Sequence, residues 1–358
     1  FGSLVTVVTL LIAVVGDLLV GDGLDRAALV NAVIWGAVWV THSWISERKG
    51  YEPNLRLEHL MGSFVGLVVL LSAGAVAAAN VLVELYDTAV DIAPIGSTAE
   101  HIARPLVACA VGAAVWVWYW LRTTVHDERS GLWSAYVLLA GVLSGVLMVV
   151  AGVGTAVFRL LEWIVADPSG TAAEHFEVVP AALGVVAVGG AAWGYHRRIL
   201  DTGAERERTE VDRVYDYLLA GAGLVVAAGG LATLLIYALW AVAGTEITGS
   251  DRAVIAVALT LLLVGAPLWG VYWSRSQRER VRFGADEAES TTRRTYLFVV
   301  LGASGLVALV SMIVLVYLIV QAILDGTGGA ELLDALAVPI SLLASTGAVA
   351  WYLSLIHI

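Results

Sequence analysis

The sequence predicts an all-α polytopic membrane protein of about ten transmembrane helices arranged as five tandem helical hairpins. Three observations predict it. Five tryptophans, Trp39, Trp116, Trp193, Trp269 and Trp351, each close an apolar run, and their successive separations are 77, 77, 76 and 82 residues. A fixed period of this kind sets the architecture before any local reading does. Uncharged stretches run over Leu60–Val83, Leu132–Phe158, Tyr217–Thr245, Ala253–Ser274 and Thr295–Leu324, each longer than the roughly 20 residues that cross about 30 Å of hydrocarbon. Finally, the basic residues gather in alternate loops.

Composition agrees. Hydrophobic residues make up 59% of the 358 and charged residues 14%, with a mean hydropathy of +0.85. A soluble domain is nearer half apolar and a quarter charged. Several of these stretches would need to be buried on every side in a soluble fold, more than a chain of this length can supply. The net charge of −11 comes with no one-sided basic patch, so nucleic acid is excluded as a partner and the lipid bilayer is the expected one. Cys109 is the one cysteine, so neither an intrachain disulfide nor a thiolate metal site is available. Phe1 stands where a Met would begin a complete chain, and no basic segment of a signal peptide precedes the first apolar run. The closing Ser354-Leu-Ile-His357-Ile resembles a translated sequencing adapter, and no role is expected of His357.

The spans fall in order at about 2–21, 26–46, 59–86, 105–121, 132–163, 178–196, 214–243, 252–274, 295–324 and 335–354. They read as a single membrane domain, 1–358, with repeats 1–54, 55–128, 129–208, 209–288 and 289–358. After the first pair a long helix precedes a short one, and the long ones must tilt or protrude. Each second helix is preceded by a capping signal: Asp22-x-x-Asp25, Ser97-x-x-Glu100, Thr171-x-x-Glu174, Thr248-x-x-Asp251 and Gly328-x-x-Glu331. A small or polar N-cap with an acid three residues on satisfies free N–H groups and complements the helix dipole. Pro105, Pro180 and Pro339 are expected at helix starts, where a missing N–H matters little.

Orientation follows from charge. Sixteen of the 20 basic residues lie in the loops that follow each Trp, and Arg26, Arg104, Arg159 and Arg252 are the other four. The positive-inside rule therefore puts the Trp ends and basic loops in the cytoplasm of a cell membrane. The charged loops 197–213 and 275–294 read as solvated connectors whose i,i+4 charge pairs extend the helices. A cytoplasmic protein partner could dock there.

Small-residue faces, Gly62-x-x-x-Gly66 and Gly141-x-x-x-Gly145 with Gly221, Gly223, Gly229, Gly230, Gly302 and Gly305, predict close helix packing within the chain. The five tryptophans read as interfacial anchors. Three residues after four of them stand His42, Tyr119, His196 and Tyr272, on nearly the same helix face. An anchoring polar ring accounts for the pattern. The rival is a cofactor site, with His42 and His196 as haem ligands. No acid lies at the middle of a long span, which weighs against an ion-coupled pump. No nucleophile elbow, phosphate loop or zinc-binding helix is present, so neither an enzyme nor a bound cofactor is expected.

Around Gly265-Ala-Pro-Leu-Trp269-Gly-Val-Tyr272-Trp273-Ser-Arg275 the chain resembles a bacterial repeat family of multi-pass membrane proteins classed as a domain of unknown function. That family pairs a helix led by a basic residue and Tyr with a helix ending Trp-x-x-His/Tyr-Trp-Arg. The first feature stands at Arg213-Val-Tyr215-Asp-Tyr217 and Arg293-Arg294-Thr-Tyr296; Tyr136 lacks the arginine and His59 takes the Tyr place in the second unit. The resemblance implies fold and location and no activity. A non-enzymatic scaffold or accessory membrane protein is the leading expectation. A permease or channel, with a pathway between repeats marked by Asn31, Asn80 or Gln321, and a haem-binding redox protein remain alternatives.

Overall fold

The computed structural model describes residues 2–20, 26–49, 52–90, 98–127, 129–201, 210–284, 287 and 289–357. Among them helix is the only regular secondary structure. Ten long helices follow in order: α1 Gly2–Val20, α2 Arg26–Lys49, α3 Glu52–Val90, α4 Thr98–Trp116, α5 Gly131–Val165, α6 Val178–Asp201, α7 Glu210–Ala243, α8 Gly249–Phe283, α9 Thr291–Asp325 and α10 Ala330–His357. Nine of them are long and apolar enough to cross a membrane, and Gly2–Leu18 is a shorter apolar helix.

Two details depart from the sequence reading. The second helix of a pair is not always short: α8 has 35 residues, as many as α9, because its charged tail Arg275–Phe283 stays helical beyond the apolar run. Pro105 and Pro339 lie inside α4 and α10 and not in their first turns, because the polar residues before each apolar run are already helical. Of these three prolines, Pro180 alone falls in a first turn, that of α6. The Thr248 capping box forms as expected: Asp251 N–H donates to the Thr248 hydroxyl and Thr248 N–H to the Asp251 carboxylate at 2.8 Å. Glu331 lies in the first turn of α10, whereas Glu174 lies in that of a separate five-residue helix, Ala172–Phe176, just before α6. Asp22, Asp25 and Ser97 lie outside the described residues.

The chain forms two compact units, Phe1–Val153 with Ala172–Arg206, and Gly154–Thr171 with Glu207–Ile358. In the first, α1 packs on α2, α3 on α4 and the π segment of α5 on α6, while α1 also meets α4 and α3 meets α6. In the second, α7 packs on α8, α9 on α10, and α7 also meets α10. The first helix of one pair thus contacts the second helix of the next.

Glycine sets the separation within three of these pairs. A Cβ on Gly66, Gly145 or Gly223 would lie 2.5, 2.7 and 2.5 Å from the backbone nitrogen of Trp116, Trp193 and Trp269. The contact is reciprocal. A Cβ on Gly112 would sit 2.5 Å from Leu70 N, one on Gly265 2.6 Å from Ala227 N, and one on Gly189 2.6 Å from Met148 Cβ. Real Cβ atoms do not come so close, so only glycine permits these backbones to approach. Gly229, Gly302 and Gly305, expected on packing faces, meet nothing within 4 Å. Gly223→Ala should therefore destabilise the fold by about 1–3 kcal/mol through overpacking. Gly229→Ala should be neutral or gain up to about 1 kcal/mol from helix propensity. Equal unfolding midpoints for the two variants in detergent would remove the close-contact account.

Candidate functional site

Each unit carries a layer of rings at the Trp ends of its helices. In the first unit α4 ends in a π turn, Val117–Leu121, and α5 opens with Ser130 capping Trp133 N–H at 3.2 Å before a π segment, Tyr136–Leu143. The wider turns shift the helix faces by part of a residue step, and single π turns recur at functional sites. Here they bring Trp120, Trp133 and Tyr136 together, all buried. Trp120 stacks on Trp133 with centroids 6.0 Å apart and lies 4.8 Å from Tyr136. Hydrogen bonds tie the layer: Trp116 Nε1 donates to Tyr136 OH at 3.1 Å and Trp120 Nε1 to Tyr195 OH at 2.9 Å.

His196 completes this layer. Its ring lies 5.0 Å from Tyr195, 6.0 Å from Trp120 and 6.1 Å from Trp116. A side chain at Gly141 would collide with the imidazole, so that glycine makes its place. Nδ1 reaches the Ala192 carbonyl at 2.9 Å. A carbonyl can only accept, so Nδ1 carries the proton and Nε2 presents a lone pair. Nε2 is buried and has no partner among the described residues. His42 also turns Nδ1 to its own helix, to Val38 O at 2.9 Å, but its ring is exposed on a cleft beside Trp35, Trp39 and Tyr119. The two haem candidates thus occupy different surroundings. Among the described residues no group of three or more His, Cys, Asp and Glu side chains could hold a metal ion.

The second unit repeats the layer with other chemistry. Trp273 Nε1 donates to Tyr352 OH at 2.9 Å, and the Trp269 and Tyr352 rings meet edge-on at 5.5 Å, close to the 5.3 Å of Trp116 and Tyr195. Tyr296 packs on Trp273 at 5.7 Å. The residue after Tyr352 is Leu353, fully buried, where Tyr195 is followed by His196. Charge enters instead from the connector before α9. Glu287 is fully buried. Its carboxylate accepts from Arg213 Nε at 2.8 Å and from Tyr217 OH at 3.3 Å, and Arg293 donates to the Tyr217 oxygen at 3.0 Å. Arg275 pairs with buried Asp216 at 3.4 Å. The expectation of a wholly solvated 275–294 connector fails here, because the arginines leading α7 and α9 recruit its carboxylate inward.

The five anchor tryptophans differ in setting. Trp39, Trp116 and Trp269 are half-buried, and Trp193 and Trp351 are exposed. Trp39 Nε1 donates to Tyr119 OH at 2.9 Å, and Tyr272 OH meets Tyr215 OH at 2.8 Å. Asn80, a candidate pathway residue, is engaged by the His101 carbonyl at 2.6 Å; Asn31 and Gln321 are exposed. Sequence reasoning missed a second aromatic series at the opposite helix ends, Tyr86, Trp163, Trp240 and Tyr317, spaced by 77 residues throughout. Tyr86 OH donates to Ala173 O at 2.8 Å, just before α6, and Trp240 Nε1 to Asp334 O at 3.2 Å, near the start of α10. The regular spacing was the available signal.

Glu287→Ala should lower stability by about 3 kcal/mol, since removing one partner leaves buried charge uncompensated. Glu289→Ala, at an exposed neighbour, should change it by less than about 0.5 kcal/mol. Chemical denaturation in detergent would separate the two, and similar midpoints would mean the buried pair carries no weight.

The profile of a family described as a domain of unknown function (DUF5671) matches residues 213–348, which include both the Arg213–Tyr217 and the Gly265–Arg275 segments. No curated protein matches the chain, and no solved structure does. By sequence, residues 213–348 are similar to that family of unknown function.

Proposed function

We propose that this chain is an integral membrane protein of five tandem hairpins, all running in one direction, with the Trp ends and basic loops in the cytoplasm. It acts as a non-enzymatic scaffold or accessory to a membrane process. The observation that carries the reading is the use made of interior polar groups. At one helix end Trp indoles donate to Tyr hydroxyls of the next pair. At the other, Tyr86 and Trp240 reach backbone carbonyls. Between the ends, glycines bring the backbones of three pairs into contact, which leaves no room for a pathway within those pairs. Charge supports the orientation. Arg104 is paired with Asp17 at 3.5 Å, and Arg159 with Glu162 at 2.9 Å, so two of the four arginines on the outer side are offset by acids. The charged connectors are the surface offered to a cytoplasmic protein.

Two measurements test this. In a Cys109→Ala background, Gly249→Cys should react with an impermeant thiol reagent in intact cells and Gly203→Cys should not; reversed labelling would sink the orientation. Purified protein in liposomes should leave the efflux of trapped potassium at the rate of empty vesicles. Protein-dependent efflux would favour the permease, and a Soret band on the purified protein would favour haem at His196.

A further inference from the structure

We propose that the cleft among α1, α2, α3 and α4 binds an alkylammonium group, presented by a soluble amine or by a lipid headgroup. This goes beyond the scaffold reading and does not depend on it. The cleft encloses about 560 Å³, within the range of small-molecule sites. Trp35, Trp39 and Tyr119 supply three rings to its wall, and Glu58, His42 and Met61 complete it. A second cleft of about 250 Å³ lies on the other side of Trp39, Glu58 and Tyr119.

Glu58 determines the sign of the ligand. It is half-buried and accepts a hydrogen bond from Ser43 Oγ at 3.0 Å. Among the described residues no cationic side chain pairs with it. An anion would meet this carboxylate head-on, and a neutral apolar ligand would bury it uncompensated. A hard metal ion calls for six or more oxygens, whereas this wall offers rings. A carboxylate among aromatic faces is the arrangement that holds substituted ammonium groups, through charge and ring quadrupole together. His42 fits the same class. Its Nδ1 proton is engaged by Val38 O, so the neutral ring offers Nε2 as an acceptor to an N–H donor.

The origin of the space is visible in the repeat. Four residues after Trp116 and Trp269 stand Trp120 and Trp273, which fill the ring layers of the two units. Four residues after Trp39 stands Ser43. The missing indole leaves room, and the hydroxyl in its place orients Glu58.

The test uses the full chain in a sugar-headgroup detergent. Calorimetric titration with choline should show saturable binding, and its uncharged isostere 3,3-dimethylbutan-1-ol should bind at least about tenfold more weakly. Glu58→Gln keeps an acceptor for Ser43, so its unfolding midpoint should match the wild type while choline affinity falls about tenfold or more. Trp39→Leu should weaken binding as well. If the natural source is a headgroup, native mass spectrometry after exposure to phosphatidylcholine vesicles should show lipid retained by the wild type and lost in Glu58→Gln, with phosphatidylglycerol not retained. Soluble-amine binding without lipid retention identifies the other source. Equal affinity for choline and its isostere, unchanged binding of both probes by Glu58→Gln, or no binding of either probe overturns the proposal.

Discussion

The close approach of two helix backbones at paired glycines is the constraint on which the rest of the structure depends. Gly66, Gly145 and Gly223 each face the backbone nitrogen of a tryptophan, and Gly112 and Gly265 return the contact from the partner helix. These contacts fix helix register as well as distance. Once Trp116 is held against Gly66, Tyr119 and Trp120 must fall one turn further on, level with one another. Tyr119 is then brought against Gly62, whose Cβ would lie 2.6 Å from the ring. In hydrocarbon no hydrophobic force would draw such helices together, so small residues and a few directional hydrogen bonds have to supply both affinity and register.

On that register the two units build the same ring layer and finish it differently. Trp116, Trp120, Tyr136 and Tyr195 correspond in their contacts to Trp269, Trp273, Tyr296 and Tyr352. In the first unit the remaining space is taken by Trp133 and an imidazole. In the second, Arg293 lies 5.9 Å over Trp273, and the charge it introduces is carried through Tyr217 to Glu287. A buried arginine obliges a buried acid. That is why a connector whose composition reads as solvated sends one carboxylate inside. The π segments of the first unit have a related cause. Aligning Trp133, Tyr136 and Gly141 at once with α4 and α6 asks for a face that regular 3.6-residue spacing does not provide.

Much of this is legible in the sequence. Apolar runs and capping pairs give every helix to within a few residues at most ends, because length and charge segregation decide the matter. What escapes is where polar helix continues past the apolar run, as before Pro105 and after Arg275. Polar residues carry no periodic signal there. The site is legible only in outline. Three residues after four of the five tryptophans stands a ring with a polar atom. Whether that ring lies exposed, like His42, or sealed, like His196, depends on the residue facing it. Gly141 is a single missing side chain opposite His196, and no local pattern announces the pairing. The 77-residue series from Tyr86 to Tyr317 was readable, and was hidden only by the more conspicuous tryptophans at the other helix ends.

The repeat also explains why one part of the ring layer is open. A repeated layer closes only if every copy contributes its share of volume. At the position after one further turn the five copies carry Ser43, Trp120, Arg197, Trp273 and Leu355. The two indoles close their layers by donating to Tyr195 and Tyr352. Ser43 instead donates to Glu58 of α3 at 3.0 Å and is too small to fill the space of an indole. The next long helix compounds the deficit. Where α5 brings Tyr136 and α9 brings Tyr296, α3 brings the smaller ring of His59, with Glu58 beside it. His59 still reaches the Tyr119 ring, with centroids 5.9 Å apart, so one face of the layer is kept. On the other face stands the Glu58 carboxylate, which accepts from Ser43 and has no cationic partner among the described residues. A packing unit that loses its filler and keeps its rings becomes a cage, and the carboxylate gives the cage a sign.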